Sequence, residues 1–140
     1  MRDLFKKVLL LMLFMILELP ALSIHWQGNY HQALTQAKDL NQSLLVLVVK
    51  AGEKRCGEII AKSLMNQPYI EAINQQMIAV MVTYEGSLSY PIELYYTTVF
   101  PTLFFVDSHK ETFLGEPLYG EEINTTGIKN RLNQYSIWHN

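Results

Sequence analysis

Residues 99–107 read VFPTLFFVD, and how this stretch is placed decides the fold. Thr102–Asp107 is a short run of apolar, β-favouring residues, the pattern of a strand covered on both faces. Pro101 stands immediately before it. Proline lacks a backbone N–H and is confined in sheets to strand starts, edges and bulges, so Pro101 marks where the strand begins.

Two further buried-strand patterns lie upstream, LLVLVV (Leu44–Val49) and MIAVMV (Met77–Val82). Between them, Ile59, Ile60, Ser63 and Leu64 fall on one helical face after Cys56, and Pro68 opens a second helical stretch, Tyr69–Gln75. Before the first strand, Tyr30, Ala33, Leu34, Ala37 and Leu40 recur at helical intervals, with Asn29 as the expected N-cap. Pro91–Tyr96 reads as a short helix ending at Thr97–Thr98. Downstream, Ser108–Glu111 is a polar turn leading to a strand around Phe113–Leu114. Gly120 closes that region. Ile123, Ile128, Leu132 and Tyr135 then predict a closing helix, weakened by Gly127. The order α-β-α-β-α followed by β-β-α implies an α/β domain: a mixed sheet of about four strands, flanked by helices.

The N-terminal stretch has a different character. Arg2, Lys6 and Lys7 form a basic region, Val8–Leu17 an apolar core, and Glu18, Leu19 and Pro20 follow. Ala21 and Ser23 then occupy the −3 and −1 positions of a cleavage site. Residues 1–23 therefore read as a signal peptide, with residues 24–140 as one domain beginning near Ile24. The apolar run of about ten residues is short of the roughly twenty that span a bilayer, so membrane contact is expected only through an uncleaved leader.

The 140-residue chain carries a net charge of −2, and −3 once residues 1–23 are set aside. Mild acidity without a basic stripe gives no footprint for nucleic acid. A single cysteine excludes an internal disulfide. His25, His31, His109 and His139 are scattered without metal-ligand spacing, and neither a metal nor another cofactor is expected. Asn41-Gln42-Ser43 and Asn124-Thr125-Thr126 fit the short glycosylation pattern, which recurs by chance. Tyr90, Tyr95 and Phe100 divide between core packing, expected for Tyr95 and Phe100, and an aromatic binding surface.

Three strings together carry a family resemblance. HWQGNYHQALTQAKDLNQSLLVLVV (25–49) resembles the opening of exported thioredoxin-like proteins. VFPTLFFVD resembles the cis-proline segment of thioredoxin-fold proteins, with Pro101 at the proline. Gly120 resembles the glycine after that family's final hairpin. The resemblance extends over nearly all of residues 24–140 and is nearest in style to bacterial thioredoxin-related and thiol-disulfide interchange proteins. It implies a cis Phe100–Pro101 bond, for which X-Pro is the one inexpensive place, at about 0.5–1 kcal/mol. It also implies a strip near Phe100, Pro101 and Thr102, facing the active-site helix, where an extended peptide pairs.

The family's C-x-x-C motif sits at a strand-to-helix junction, where the first sulfur is the exposed nucleophile and the second resolves the mixed disulfide. Here that junction reads VVKAGEKRCGEII (Val48–Ile60). In one register Cys56 takes the resolver's place, Glu53 stands at the nucleophile's, and Gly52 replaces the usual tryptophan. In the other, Cys56 is the nucleophile and Ile59 stands at the resolver position. The first register implies a degenerate site, with Gly52, Glu53, Lys54, Arg55, Phe100, Pro101 and Thr102 as binding residues for a peptide or protein partner, cysteine-containing exported proteins among them. The second leaves Cys56 as the catalytic residue of a monothiol oxidoreductase served by an external thiol. Dithiol oxidoreductase activity is not expected in either. Both place the protein in the periplasm or outside a bacterial cell, tethered to the membrane if the leader is retained.

Overall fold

The computed structural model describes residues 1–16 and 22–135. The cleavage-site residue Ala21, with Glu18–Pro20 before it, and His139 lie outside the described residues.

Helix α1 (Arg2–Ile16) presents Leu4, Phe5 and Val8–Leu13 to solvent. No helix among the described residues is long and apolar enough to cross a membrane. The folded body follows as β1 (Trp26–Gln27), α2 (Tyr30–Asp39), β2 (Ser43–Lys50), α3 (Lys54–Ser63), α4 (Tyr69–Gln76) and β3 (Met77–Tyr84). It continues with β4 (Thr102–Asp107), β5 (Thr112–Phe113), β6 (Leu118–Tyr119), a 3-10 turn (Gly120–Glu122) and α5 (Thr125–Gln134).

The sheet runs β1-β3-β2-β4-β5, with β6 also paired to β4. β1, β3 and β2 are parallel, while β4 is antiparallel to β2, β5 and β6. The mixed α/β architecture expected from the strand order is present. It has six strands rather than about four, because β1 and β6 contribute two residues each, too few to show a period.

The apolar runs are buried on both faces. Along β2, Leu45 and Leu47 enter one core with Ile59, Tyr69, Ile70, Ile73, Ile128 and Leu132 of α3, α4 and α5. Leu44, Val46 and Val48 enter the other with Tyr30, Ala33, Leu34 and Ala37 of α2. Strand alternation thus persists inside a continuous hydrophobic run. Helix α2 starts where Asn29 accepts the Gln32 N–H at 3.0 Å, the expected cap.

Two expected helices differ. Pro91–Tyr96 makes one turn only, closed by Leu94 and Tyr95 N–H bonds to the Pro91 carbonyl. Tyr95 is drawn into the second core, its hydroxyl 2.8 Å from that of Tyr30, and Thr97 turns its hydroxyl back onto the backbone at Val99. Both contacts compete with continued helix. Burial and the Tyr30 contact push the Tyr95 hydroxyl far above its ordinary pKa, so the pair stays neutral. The closing helix begins at Thr125 rather than Ile123. Asn124 caps it by accepting the Gly127 N–H at 2.9 Å, and a Cβ at Gly127 would collide with the Glu122 carbonyl.

Leu47 is fully buried at the shared centre of β2, whereas Leu40 is exposed. Leu47→Ala is expected to lower the free energy of unfolding by about 2–5 kcal/mol in urea titrations. Leu40→Ala is expected to change it by no more than about 0.5 kcal/mol.

Candidate functional site at the end of the central strands

Strand β2 ends at Lys50 and the chain reverses at once. The Glu53 N–H donates to the Lys50 carbonyl at 3.2 Å, and Gly52 takes φ +78° at the third position of the turn. A type II turn requires that positive φ, which explains a glycine there. Glu53 is then the N-cap of α3, exposed and making no side-chain capping bond.

Cys56 lies three residues into the junction, on the inner side of the first helical turn. It is a free thiol only 5% exposed, and its amide donates to the Glu53 carbonyl at 3.1 Å. Lys54 and Arg55 beside it point elsewhere. Lys54 reaches Glu58 at 4.0 Å, and Arg55 Nε reaches Glu121 Oε1 at 3.4 Å. Such exposed pairs contribute less than about 1 kcal/mol each.

The facing wall is the turn into β4. The Phe100–Pro101 peptide bond is cis. Thr102 donates its hydroxyl to the Val99 carbonyl at 2.6 Å, Thr97 Oγ1 accepts the Val99 N–H at 3.1 Å, and the two hydroxyls lie 2.9 Å apart. This knot fixes the backbone on either side of Phe100. The N–H and C=O of Phe100 itself have no hydrogen-bond partner among the described residues. The Phe100 ring packs at 5.2 Å from Tyr84, and the Lys50 ammonium sits 5.7 Å from its centroid.

Gly120 joins the two walls. Its N–H donates to the Pro101 carbonyl at 2.8 Å, and its φ is +52°. A Cβ at this position would stand 2.5 Å from Arg55 Nη2, so the missing side chain admits the guanidinium. Arg55, Gly120 and Pro101 are therefore in direct sequence of contact.

The structure brings together Gly52, Glu53, Arg55, Phe100 and Pro101 at one end of the sheet. Thr102 is different from the expectation for a binding residue: it is 0% exposed, and its hydroxyl is consumed inside the turn, so it shapes the strip rather than touching a ligand. Lys50, Tyr84, Thr97 and Glu121 also build the site and escaped the sequence reading. Lys50, Tyr84 and Glu121 act through partners distant in the chain, which no local pattern records, while Thr97 bonds within five residues, to Val99 and Thr102. Gly120 was the exception, flagged by its place after the hairpin. No group of three His, Cys, Asp or Glu side chains suited to a metal converges among the described residues.

The topology and this proline-edged site define the class: the chain has a thioredoxin-like fold. It is similar to the solved DsbH oxidoreductase, with a TM-score of 0.65 at 14% identity, the match covering 81% of this chain and 85% of that one. It is also similar to a thioredoxin from Thermus thermophilus, with a TM-score of 0.63 at 17% identity, covering 79% and 86%. No protein-family model matches the chain, and no curated protein matches it in sequence.

With its sulfur under the first turn of α3, Cys56 is expected to resist a bulky aromatic disulfide reagent in the native protein. It should react completely once the protein is unfolded in guanidinium. Rapid stoichiometric labelling without denaturant would show an open thiol.

Proposed function

We propose that this chain is an exported thioredoxin-fold protein whose dithiol site has lost its attacking sulfur, and that it binds a peptide or protein partner along the strip between Gly52–Arg55 and Phe100–Pro101. One observation carries the reading. The exposed N-cap of α3, where a helix N-terminus favours an anion, holds the carboxylate of Glu53, while the chain's single cysteine is buried three residues on.

A carboxylate cannot replace a thiolate in this chemistry. Disulfide exchange proceeds by thiolate attack on sulfur, and release needs a second thiol to resolve the mixed disulfide. Cys56, a buried free thiol, behaves as a small packing residue. What the site retains is the recognition half. The unpaired N–H and C=O of Phe100 offer one donor and one acceptor to an extended backbone, the mode in which a peptide adds to exposed main chain. The half-buried Phe100 ring supplies apolar contact beside them.

Export is supported by the basic residues Arg2, Lys6 and Lys7 ahead of the apolar Val8–Leu17. The proposed location is the periplasm or the cell exterior, with membrane attachment if the leader stays on. Monothiol exchange through Cys56 is the second reading. It requires the sulfur to reach solvent, and the 5% exposure of Cys56 weighs against it.

Two assays test the proposal. The natural chain is expected to show no catalytic reduction of a protein disulfide in the presence of a reductant. Glu53→Cys is expected to form an internal disulfide with Cys56, since helix positions three apart fall within the Cα separation of about 4.4–6.8 Å that a disulfide spans. That variant should gain measurable reductase turnover. Turnover by the natural chain that disappears in Cys56→Ser would contradict the proposal.

A further inference from the structure

We propose that Leu22 and Ser23 belong to the working protein, so that the leader is removed N-terminal to Leu22 and not at the Ser23–Ile24 bond. The existence of a cut rests on the export reading above; the retention of the two residues rests on the fold itself.

Residues 22–25 form a bound lead-in to β1. The Leu22 N–H donates to Asn66 Oδ1 at 2.9 Å, and the Asn66 N–H returns a bond to the Leu22 carbonyl at 2.7 Å. Ser23 pairs antiparallel with Met65. Asn74 of α4 then holds the next peptides with both ends of its amide. Its Nδ2 donates to the Ser23 carbonyl, and its Oδ1 accepts the His25 N–H, each at 2.9 Å. The Trp26 N–H donates to the Ile24 carbonyl at 3.0 Å, and the chain enters the sheet.

A chain beginning at Ile24 would lose this in two ways. Leu22 would be gone, leaving Asn66 without its reciprocal bonds. Asn66 holds φ +55°, a left-handed conformation that asparagine adopts more readily than most residues and that here aims both its amide and its side chain at Leu22. The new α-ammonium would also fall on Ile24, which is 3% exposed in the intact chain and part of the core with Leu45, Tyr69 and Ile73. Placing a charge on a buried residue is costly unless it is paired. A cut before Leu22 leaves the amine on a residue 39% exposed, or further out, with every bond intact. Hydrolysis is the same in either register, water giving its hydroxyl to the new carboxylate and its proton to the new amine. The registers differ only in which product folds well.

The test uses the full chain, expressed with its leader in a bacterial export host. Intact mass and N-terminal sequencing of the recovered protein are expected to place the first residue of a cleaved chain at Leu22 or earlier. A protein beginning at Ile24 overturns the proposal. An uncleaved chain beginning at Met1 also overturns the proposed cut, and does so through the export reading on which it rests, whereas a chain beginning at Ile24 leaves that reading standing. Hydrogen exchange on the same protein supplies an independent arm. The Leu22 and His25 amides are expected to exchange at least tenfold more slowly than in an unstructured peptide, and Asn74→Ala should release His25. Unprotected Leu22 and His25 amides would overturn it.

Discussion

The hydrogen bond from the Gly120 amide to the Pro101 carbonyl is the constraint on which the site depends. It ties the end of the β4–β6 pairing to the turn that starts β4. The absent side chain of Gly120 lets Arg55 lie across from the first turn of α3. Three segments far apart in sequence thereby meet at one end of the sheet. With the Pro101 carbonyl taken by Gly120 and the Val99 groups tied to Thr97 and Thr102, the peptide groups on both sides of Phe100 are committed. The Phe100 N–H and C=O have no partner among the described residues, and on the proposed reading they are the groups a bound strand would use.

Catalysis and recognition separate cleanly in this arrangement. Thiol chemistry demands an exposed sulfur with a lowered pKa and a second sulfur within reach. Backbone recognition demands only main chain held open on a rigid scaffold. The α3 junction presents Glu53 outward and Cys56 inward, while the facing turn keeps its unpaired peptide. Solved structures of similar topology include an oxidoreductase and a thioredoxin, at identities that carry the fold alone. On the proposed reading, loss of the thiol pair leaves the main-chain edge at Phe100 physically intact.

Much of the architecture was legible in the sequence, for definite reasons. β2, β3 and β4 are covered on both faces, so they appear as unbroken apolar runs whose length marks them as strands. α2 was readable from its spacing and from Asn29, whose capping bond is local. β1 and β6 were not, because two-residue strands exist only by virtue of the partner they pair with. The turn at Pro91–Tyr96 looked helical because its interruption comes from the contact of Tyr95 with Tyr30 and from the Thr97 hydroxyl at Val99, both partners outside the window. At the site, Glu53 and Cys56 could be placed by counting from Val49, and Pro101 by its neighbours. The depth of Thr102 and the reach of Arg55 to Glu121 are tertiary facts, invisible along the chain.

The central claim is recognition without thiol chemistry, and it is tested most directly by amide NMR of the Cys56→Ser protein titrated with a library of cysteine-free extended peptides. The account predicts saturable shifts concentrated at Phe100, Gly52 and Gly120, with the same affinity as the natural chain. Binding that needs Cys56, or that leaves the Phe100 amide unmoved, would contradict it.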